Sequence, residues 1–255
     1  MNQTISILGC GWLGLPLAIS LFKEGYLVKG STTSYHKLET IKSSGAVPFL
    51  IDLNSIEKNI SEFLKSEILI INITSKKTDS FKNLMAKIEL SPVKKVLFIS
   101  ATSVYDNNNL IVTEKTPTNK SPLSEIESLF FNHKKFKTNI LRFGGLFGYN
   151  RKPGNFISSN KKMKNPEGYV NLIHRDDCIR IIEQIILKNI WGEIFNACAD
   201  SHPTRRDFYT KEVLKLRTEK PIFNENSAND FKIVSSEKLK LMLDFNFKYP
   251  DLMKY

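Results

Sequence analysis

Residues 3–14 read QTISILGCGWLG, a short β-branched and apolar run that stops at Gly9 and continues as Gly9-Cys10-Gly11-Trp12-Leu13-Gly14. A strand followed at once by Gly-x-Gly-x-x-Gly and then by a helical pattern is the signature of a turn that holds a dinucleotide's phosphates. Gly9 permits the tight turn, Gly11 lets main chain approach a pyrophosphate, and Gly14 lets the helix pack closely on the strand. Trp12 and Leu13 complete the turn, where main-chain N–H groups and the positive end of the helix face the phosphates. Leu13, Leu17, Ile19, Leu21 and Phe22 then recur at helical spacing, and Gly25 stops the pattern. Cys10 lies inside this turn, where a helix N-terminus lowers a thiol pKa, so a redox role is a side possibility.

Outward from the turn the chain alternates. Strands are expected at 26–30, 47–51, 67–73 and 95–100, separated by helices near 35–44, 55–65 and 79–89. Strands apolar throughout, with helices between them, mean a parallel sheet covered on both faces. The second half continues less strictly, with a helix at 123–136, a strand at 139–143 and a polar, Lys-rich loop at 150–168. Next come a strand-like YVNLIH, a helix at 176–188 and a strand at 193–197. A helix at 204–216 has Thr204 at its N-cap, and the strand FKIVSS and helix SEKLKLML follow. The expected fold is α/β, a Rossmann-like doubly wound parallel sheet with a small C-terminal α/β substrate lobe. Residues 1–150 form the dinucleotide-binding core and 151–255 the lobe, with 169–197 returning to the core.

The chain has 255 residues, enough for one large domain or a domain with a small appendage. Three scattered cysteines, Cys10, Cys178 and Cys198, argue against a disulfide framework or zinc module and point to a reducing cytoplasm. No apolar stretch reaches the roughly 18 residues of a spanning helix, and no basic leader precedes the first strand. The net charge is +11, but 30 of the 37 basic residues are Lys and they are spread along the chain. A nucleic-acid binder would cluster them, so nucleic acid ranks last among partners and a small anionic substrate ranks first. No metal site is expected, because no second His or Cys stands at ligand spacing from His174.

An NAD-preferring turn carries Asp or Glu at the end of the second strand. Here that region reads Gly30-Ser31-Thr32-Thr33-Ser34, with His36 and Lys37 close behind. Hydroxyls and cations suit a 2′-phosphate and lean toward NADP over NAD, although no Arg is present to clamp it. A plain polar loop reads equally well.

Several segments together resemble the extended short-chain dehydrogenases/reductases, the NAD-dependent epimerase/dehydratase family. Phe98-Ile99-Ser100-Ala101-Thr102-Ser103-Val104-Tyr105 resembles that family's strand ending in a Ser/Thr-rich turn and Val-Tyr. Leu141-Arg142-Phe143-Gly144-Gly145-Leu146-Phe147-Gly148 and Leu172-Ile173-His174-Arg175-Asp176-Asp177 resemble its later substrate-side segments. Asp52-Leu53 matches the pair that contacts adenine, and Ser100 is a further coenzyme-contact candidate that could, like Thr102 and Ser103, supply a hydroxyl near the nicotinamide. The Gly-x-Gly-x-x-Gly form and the short length mark an atypical branch. The resemblance also implies a catalytic Ser or Thr, a Tyr-x-x-x-Lys, and a Tyr hydroxyl that moves the proton. Those positions here are Ala101, Leu123 and Glu127. Glu125 and Glu127 read as solvated helix-face carboxylates.

Thr102, Ser103 and Tyr105 are the substitute candidates for catalysis, with Tyr105 favoured as structural. Arg142 and Arg151 could grip an anionic substrate bidentately. His174 is a further substrate candidate, although Asp176 or Asp177 capping the next helix with His174 packed behind is the plainer reading. Lys161, Lys162 and Lys164 could steer an anion or simply be solvated. Two functions follow: an NAD(P)-binding oxidoreductase or epimerase/dehydratase-like enzyme with a non-standard proton route, or a catalytically inactive NAD(P)-binding sensor. A monomer and a homodimer are both compatible with the sequence.

Overall fold

Ile5, Ile7 and Leu8 are almost wholly excluded from solvent because the strand they form lies inside a sheet. The computed structural model describes residues 3–55, 59–157 and 162–255. In chain order the first half runs β1 (Thr4–Leu8), α1 (Gly14–Lys23), β2 (Leu27–Thr32), α2 (Leu38–Ser43), β3 (Val47–Leu50), α3 (Ile60–Phe63), β4 (Ile68–Ile71), α4 (Thr78–Glu89) and β5 (Lys95–Ala101). Then come β6 (Ile111–Val112), α5 (Pro122–Phe131), β7 (Lys137–Phe143), β8 (Gly145–Phe147), β9 (Leu172–His174), α6 (Arg175–Leu187), β10 (Ile194–Ala197), α7 (Arg205–Leu214), β11 (Ile233–Val234) and α8 (Glu237–Leu243).

Seven strands form one sheet in the order β10-β7-β5-β4-β1-β2-β3. β1 pairs in parallel with both β2 and β4, Ile5 lying level with Val28 on one side and Ile68 on the other. From β1 the chain builds outward to β2 and β3, then returns to lay β4 and β5 on the opposite side. The carboxyl ends of β1 and β4 are therefore the switch point where open α/β sheets place ligands. Gly9 leaves the sheet there.

The chain divides into two compact units that interleave in sequence. The first comprises residues 1–100, 120–141 and 182–194, the second 101–119, 142–181 and 195–255. In the first unit Phe81, Phe98 and Phe130 meet at ring distances of 5.4–6.0 Å and seal α4 and α5 to the sheet. Each such ring, fully buried, contributes about 2–3 kcal/mol. In the second unit a smaller core gathers Phe147, Met163, Val170, Leu172, Phe208 and Leu252.

The expected doubly wound sheet is present, with local differences. The helix expected over 123–136 stops at Phe131: the Lys135 N–H goes to the His133 ring at 3.2 Å instead of continuing the helical ladder, and that ring stacks on Phe136 at 4.2 Å. The strand expected over 169–174 shortens to β9, which pairs with β8 in a separate two-stranded sheet. β6 was not expected, being two residues paired with β11. In the described part of the helix expected over 55–65, Ile60–Phe63 is helical; residues 56–58 lie outside the described residues, as does Lys161. Thr204 caps α7 as expected, its hydroxyl accepting the Asp207 N–H at 3.1 Å. Among the described residues no helix is long and apolar enough to cross a membrane.

Candidate functional site

The glycine turn is held from three sides. Gly9 donates its N–H to the Ser31 hydroxyl at 3.0 Å, and Cys10 donates to the Ser31 carbonyl at 2.8 Å. Asn72, just past β4, donates its side-chain amide to the Gly9 carbonyl at 3.0 Å. Gly9 has φ +103°, and a Cβ there would stand 2.3 Å from the Asn72 carbonyl oxygen. A Cβ on Gly14 would stand 2.2 Å from the Gly9 carbonyl oxygen. The fold itself requires both glycines. Gly11 differs: it is exposed, its φ is not positive, and a Cβ there would meet nothing within 4 Å. Leu13, at the N-cap of α1, offers no side-chain oxygen to the first turn. The result is an open cradle of main chain at the positive end of a ten-residue helix, suited to an anion.

The thiol inside this turn is not activated. The Cys10 side chain is buried, its sulfur lies 3.9 Å from the Ile7 carbonyl, and burial pushes its pKa up to about 12. The expectation of a lowered thiol pKa is thereby corrected, since desolvation outweighs the helix end.

On one side of the turn lie the ends of β2 and β3. Ser31 is buried and committed to the turn, and the Thr32 hydroxyl accepts the Ser34 N–H at 3.1 Å. Thr33, His36 and Lys37 are exposed. Asp52 accepts from both the backbone and side-chain nitrogens of Asn54 at 2.9 Å, which fixes the loop after β3. Thr33, Asp52, Leu53, Asn54, Asn83 and Lys87 line a cavity of about 960 Å³.

On the other side lies the end of β5. Leu8 is level with Ile71 and Ile71 with Phe98, so Gly9 and Ser100 leave the same sheet edge two strands apart, roughly 10 Å. Ser100 is buried and donates its hydroxyl to Glu127 on α5 at 2.5 Å. Ser121 caps α5 and Pro122 begins it, which sets Leu123 and Glu127 four residues apart on one helix face. Leu123 packs against the apolar core and Glu127 is only 3% exposed. The expected solvated carboxylate is thus Glu125 alone, which is exposed. Glu127 is a buried polar partner of the β5 edge.

The remaining candidates belong to the second unit. Thr102 is buried in the short turn after β5 and Ser103 is exposed. Tyr105 is buried; its hydroxyl donates to Asn196 Oδ1 at 2.9 Å and accepts from Arg142 Nη1 at 2.6 Å. The Arg142 guanidinium also stands over the Tyr105 ring at 5.0 Å, and Lys232 donates to the Tyr105 carbonyl at 2.5 Å. Burial pushes the phenol pKa up, against the lowering pull of Arg142. Asn196 itself donates its N–H to Glu114 at 2.7 Å. Arg151 is exposed, with its guanidinium 5.7 Å from the Phe156 ring.

His174 is buried among Phe147, Tyr149, Tyr249 and Tyr255. Its Nδ1 accepts the Asp176 N–H at 3.2 Å, so the histidine itself supplies the acceptor at the start of α6. The expected aspartate cap is corrected. Asp177 instead accepts the N–H groups of Lys248 and Tyr249 at 2.7 and 3.0 Å, and Asp176 accepts from the Tyr149 hydroxyl at 2.8 Å. Burial lowers the His174 pKa, and burial lowers that of His202. Both rings bind a proton less readily folded than unfolded, so stability falls as pH drops below the ordinary value near 6.5. Melting temperature should decline between pH 7 and pH 5, and less steeply in His174→Gln. An unchanged slope in that variant would contradict this assignment.

One residue that holds the turn, Asn72, is absent from the sequence candidates, and Glu127 stands among them in a different role. Asn72 was signalled only as a polar interruption in the apolar run EILIINI. Glu127 reads in the sequence as a solvated carboxylate at the family's lysine position; its burial and its bond to Ser100 had no local signal, because that partner is 27 residues away. Among the described residues no group of three or more His, Cys, Asp or Glu gathers as a metal site.

A seven-stranded parallel sheet of order 3-2-1-4-5, with a glycine turn at its switch point, defines a Rossmann-type dinucleotide-fold protein. Solved structures agree. A conserved protein of unknown function from Silicibacter pomeroyi DSS superposes with a TM-score of 0.81 at 18% identity, over 98% of this chain and 95% of that one. A short-chain dehydrogenase/reductase superfamily protein from Agrobacterium tumefaciens with bound NAD gives 0.76 at 16% identity, over 98% and 94%. UDP-glucuronic acid 4-epimerase from Bacillus cereus, in complex with UDP-glucuronic acid and NAD, gives 0.77 at 17%, over 98% and 96%. The fold is that of the short-chain dehydrogenases/reductases and NAD-dependent epimerases/dehydratases, as the resemblance implied. No family model matches the chain. Protein YeeZ of Escherichia coli strain K12 is 31% identical over 267 aligned positions, 98% of this chain and 97% of that protein. The chain belongs to the same family as YeeZ.

Proposed function

We propose that this chain binds a nicotinamide dinucleotide across the carboxyl edge of its sheet and uses it in oxidoreductase or epimerase-like chemistry on a small, anionic carbonyl or hydroxyl compound. The observation that carries this reading is Gly11. Its neighbours in the motif are glycines because the fold leaves no room for a Cβ, whereas Gly11 faces open space. A glycine without a structural reason, at the mouth of an uncapped helix, suits close approach of a pyrophosphate to main chain. In this reading Thr33, Asp52 and Leu53 take the adenosine half and Ser100 faces the nicotinamide side, which their positions on either side of the turn support. The NAD complexes of the Agrobacterium and Bacillus proteins support the coenzyme class. When bound, the coenzyme supplies a hydride donor or acceptor. The test is loss of 340 nm absorbance when protein and reduced coenzyme meet a panel of carbonyl acids and sugar derivatives. Oxidation with at least one compound supports turnover.

A second reading, a dinucleotide-binding sensor without turnover, is favoured by one observation. Leu123 is apolar and the Tyr105 hydroxyl is already committed at both its proton and its lone pair. Tight binding with no oxidation across the panel would select it.

The ribose end leans to NADP, because exposed Thr33, His36 and Lys37 follow β2 and residues 30–37 include no Asp or Glu. NADPH should bind about tenfold tighter than NADH, and Lys37→Ala should bring the ratio toward one; a single exposed charge-assisted contact is worth about that much. Equal affinities in the unaltered protein would assign NAD instead.

A further inference from the structure

Glu127 is a buried carboxylate at this sheet edge that the proposed function leaves without a task. It sits in the first unit with the glycine turn, on the face of α5 that packs against β5, and it accepts the Ser100 hydroxyl. The register sets Ser100 two strands from Gly9, on the side opposite the Asp52 cavity. A dinucleotide with its pyrophosphate at the turn and its adenosine toward β3 has its other nucleoside directed toward β5, a distance of roughly 10 Å. That end of the coenzyme is where its charge changes: the oxidised nicotinamide ring is cationic and the reduced ring is neutral.

We infer that the Glu127 carboxylate, anchored by Ser100, biases this site toward the oxidised coenzyme. The inference rests on the dinucleotide reading above and adds to it which redox state the site prefers. An anion held in the protein interior attracts a cation across several ångströms much more strongly than it would in water. A neutral ring in the same place gains nothing from it. Ser100 fixes the carboxylate's direction and supplies one of the hydrogen bonds that a buried carboxylate needs. A site so built retains the oxidised form and releases the reduced one, which suits dehydrogenation of a hydroxyl compound or a protein that reports the redox state of the coenzyme pool.

The experiment is a set of titrations of the full chain with NADP⁺, NADPH, NAD⁺, NADH and ADP. The unaltered protein should bind each oxidised form about tenfold tighter than its reduced partner, the size expected of one unit charge at this range in a partly screened site. Glu127→Gln, nearly isosteric, should bring that ratio to about one while leaving ADP affinity unchanged; Ser100→Ala should lower the ratio part of the way. A general loosening of the fold would weaken ADP and both redox forms together, so the ratio separates charge from structure. Equal affinity for oxidised and reduced coenzyme in the unaltered protein overturns the inference without any variant, as does a Glu127→Gln protein that keeps the tenfold preference. Failure of all four coenzymes to bind overturns the dinucleotide reading itself, and the inference with it.

Discussion

Gly11→Ala should keep the melting temperature of the unaltered protein and bind coenzyme about 100-fold more weakly, a loss of roughly 2.7 kcal/mol. The first half of that expectation follows from the space around the residue. A Cβ on Gly11 meets no atom within 4 Å and the backbone is outside the left-handed region, so alanine is accommodated without strain. Replacing glycine where alanine fits stabilises slightly if at all, by about 0.5 kcal/mol, through the unfolded chain. The second half follows from the ligand. A methyl group on the main chain that must touch a pyrophosphate pushes the phosphates off the N–H groups at the start of α1. A valine there should abolish binding altogether. Thermal melting and coenzyme titration of the same preparation read the two halves separately. A Gly11→Ala protein that melts normally and binds normally would show that the open space is only solvent.

Gly9→Ala carries the opposite signature, a large stability cost. The new Cβ would lie 2.3 Å from the Asn72 carbonyl oxygen and 2.7 Å from the Ile73 side chain, on a backbone with φ +103°. The first contact is with main chain inside the sheet edge and cannot be relieved by a rotamer. Left-handed strain of about 1–2 kcal/mol and overpacking of about 1–3 kcal/mol add to a destabilisation on the order of 3 kcal/mol. For a chain of this length that is roughly 6 °C in melting temperature. Gly9→Ala should therefore lose stability and binding together, whereas Gly11→Ala loses binding alone. Melting temperatures of Gly9→Ala within 2–3 °C of the unaltered protein would contradict the packing described for the turn.

The two glycines are expected to behave so differently because the fold leaves no room for a Cβ at Gly9 and leaves Gly11 open, and spacing alone could not separate them. What could be read along the chain was whatever the local pattern carries. The apolar runs gave the strands of the parallel sheet, the Gly-x-Gly-x-x-Gly gave the turn, and Thr204 gave a helix cap. What could not be read depends on residues far apart in sequence. Ser31 binds the Gly9 N–H across 22 positions and Asn72 binds the Gly9 carbonyl across 63. The Tyr105 hydroxyl meets Arg142 and Asn196 across 37 and 91. Glu127 followed a helix-surface pattern, yet the end of β5 brings Ser100 to it and closes it off from water. Cys10 misled for the same reason, since its helix-end position was legible and its desolvation against β2 was not.

The most direct test of a coenzyme cradled by the Gly9–Gly14 main chain is calorimetric titration of the full chain with NADP⁺ and NAD⁺, run beside Gly11→Ala. One saturable site in the unaltered protein, at least 100-fold weaker in the variant at equal melting temperature, is the predicted result. No binding of either coenzyme, or the same binding by both proteins, would contradict it.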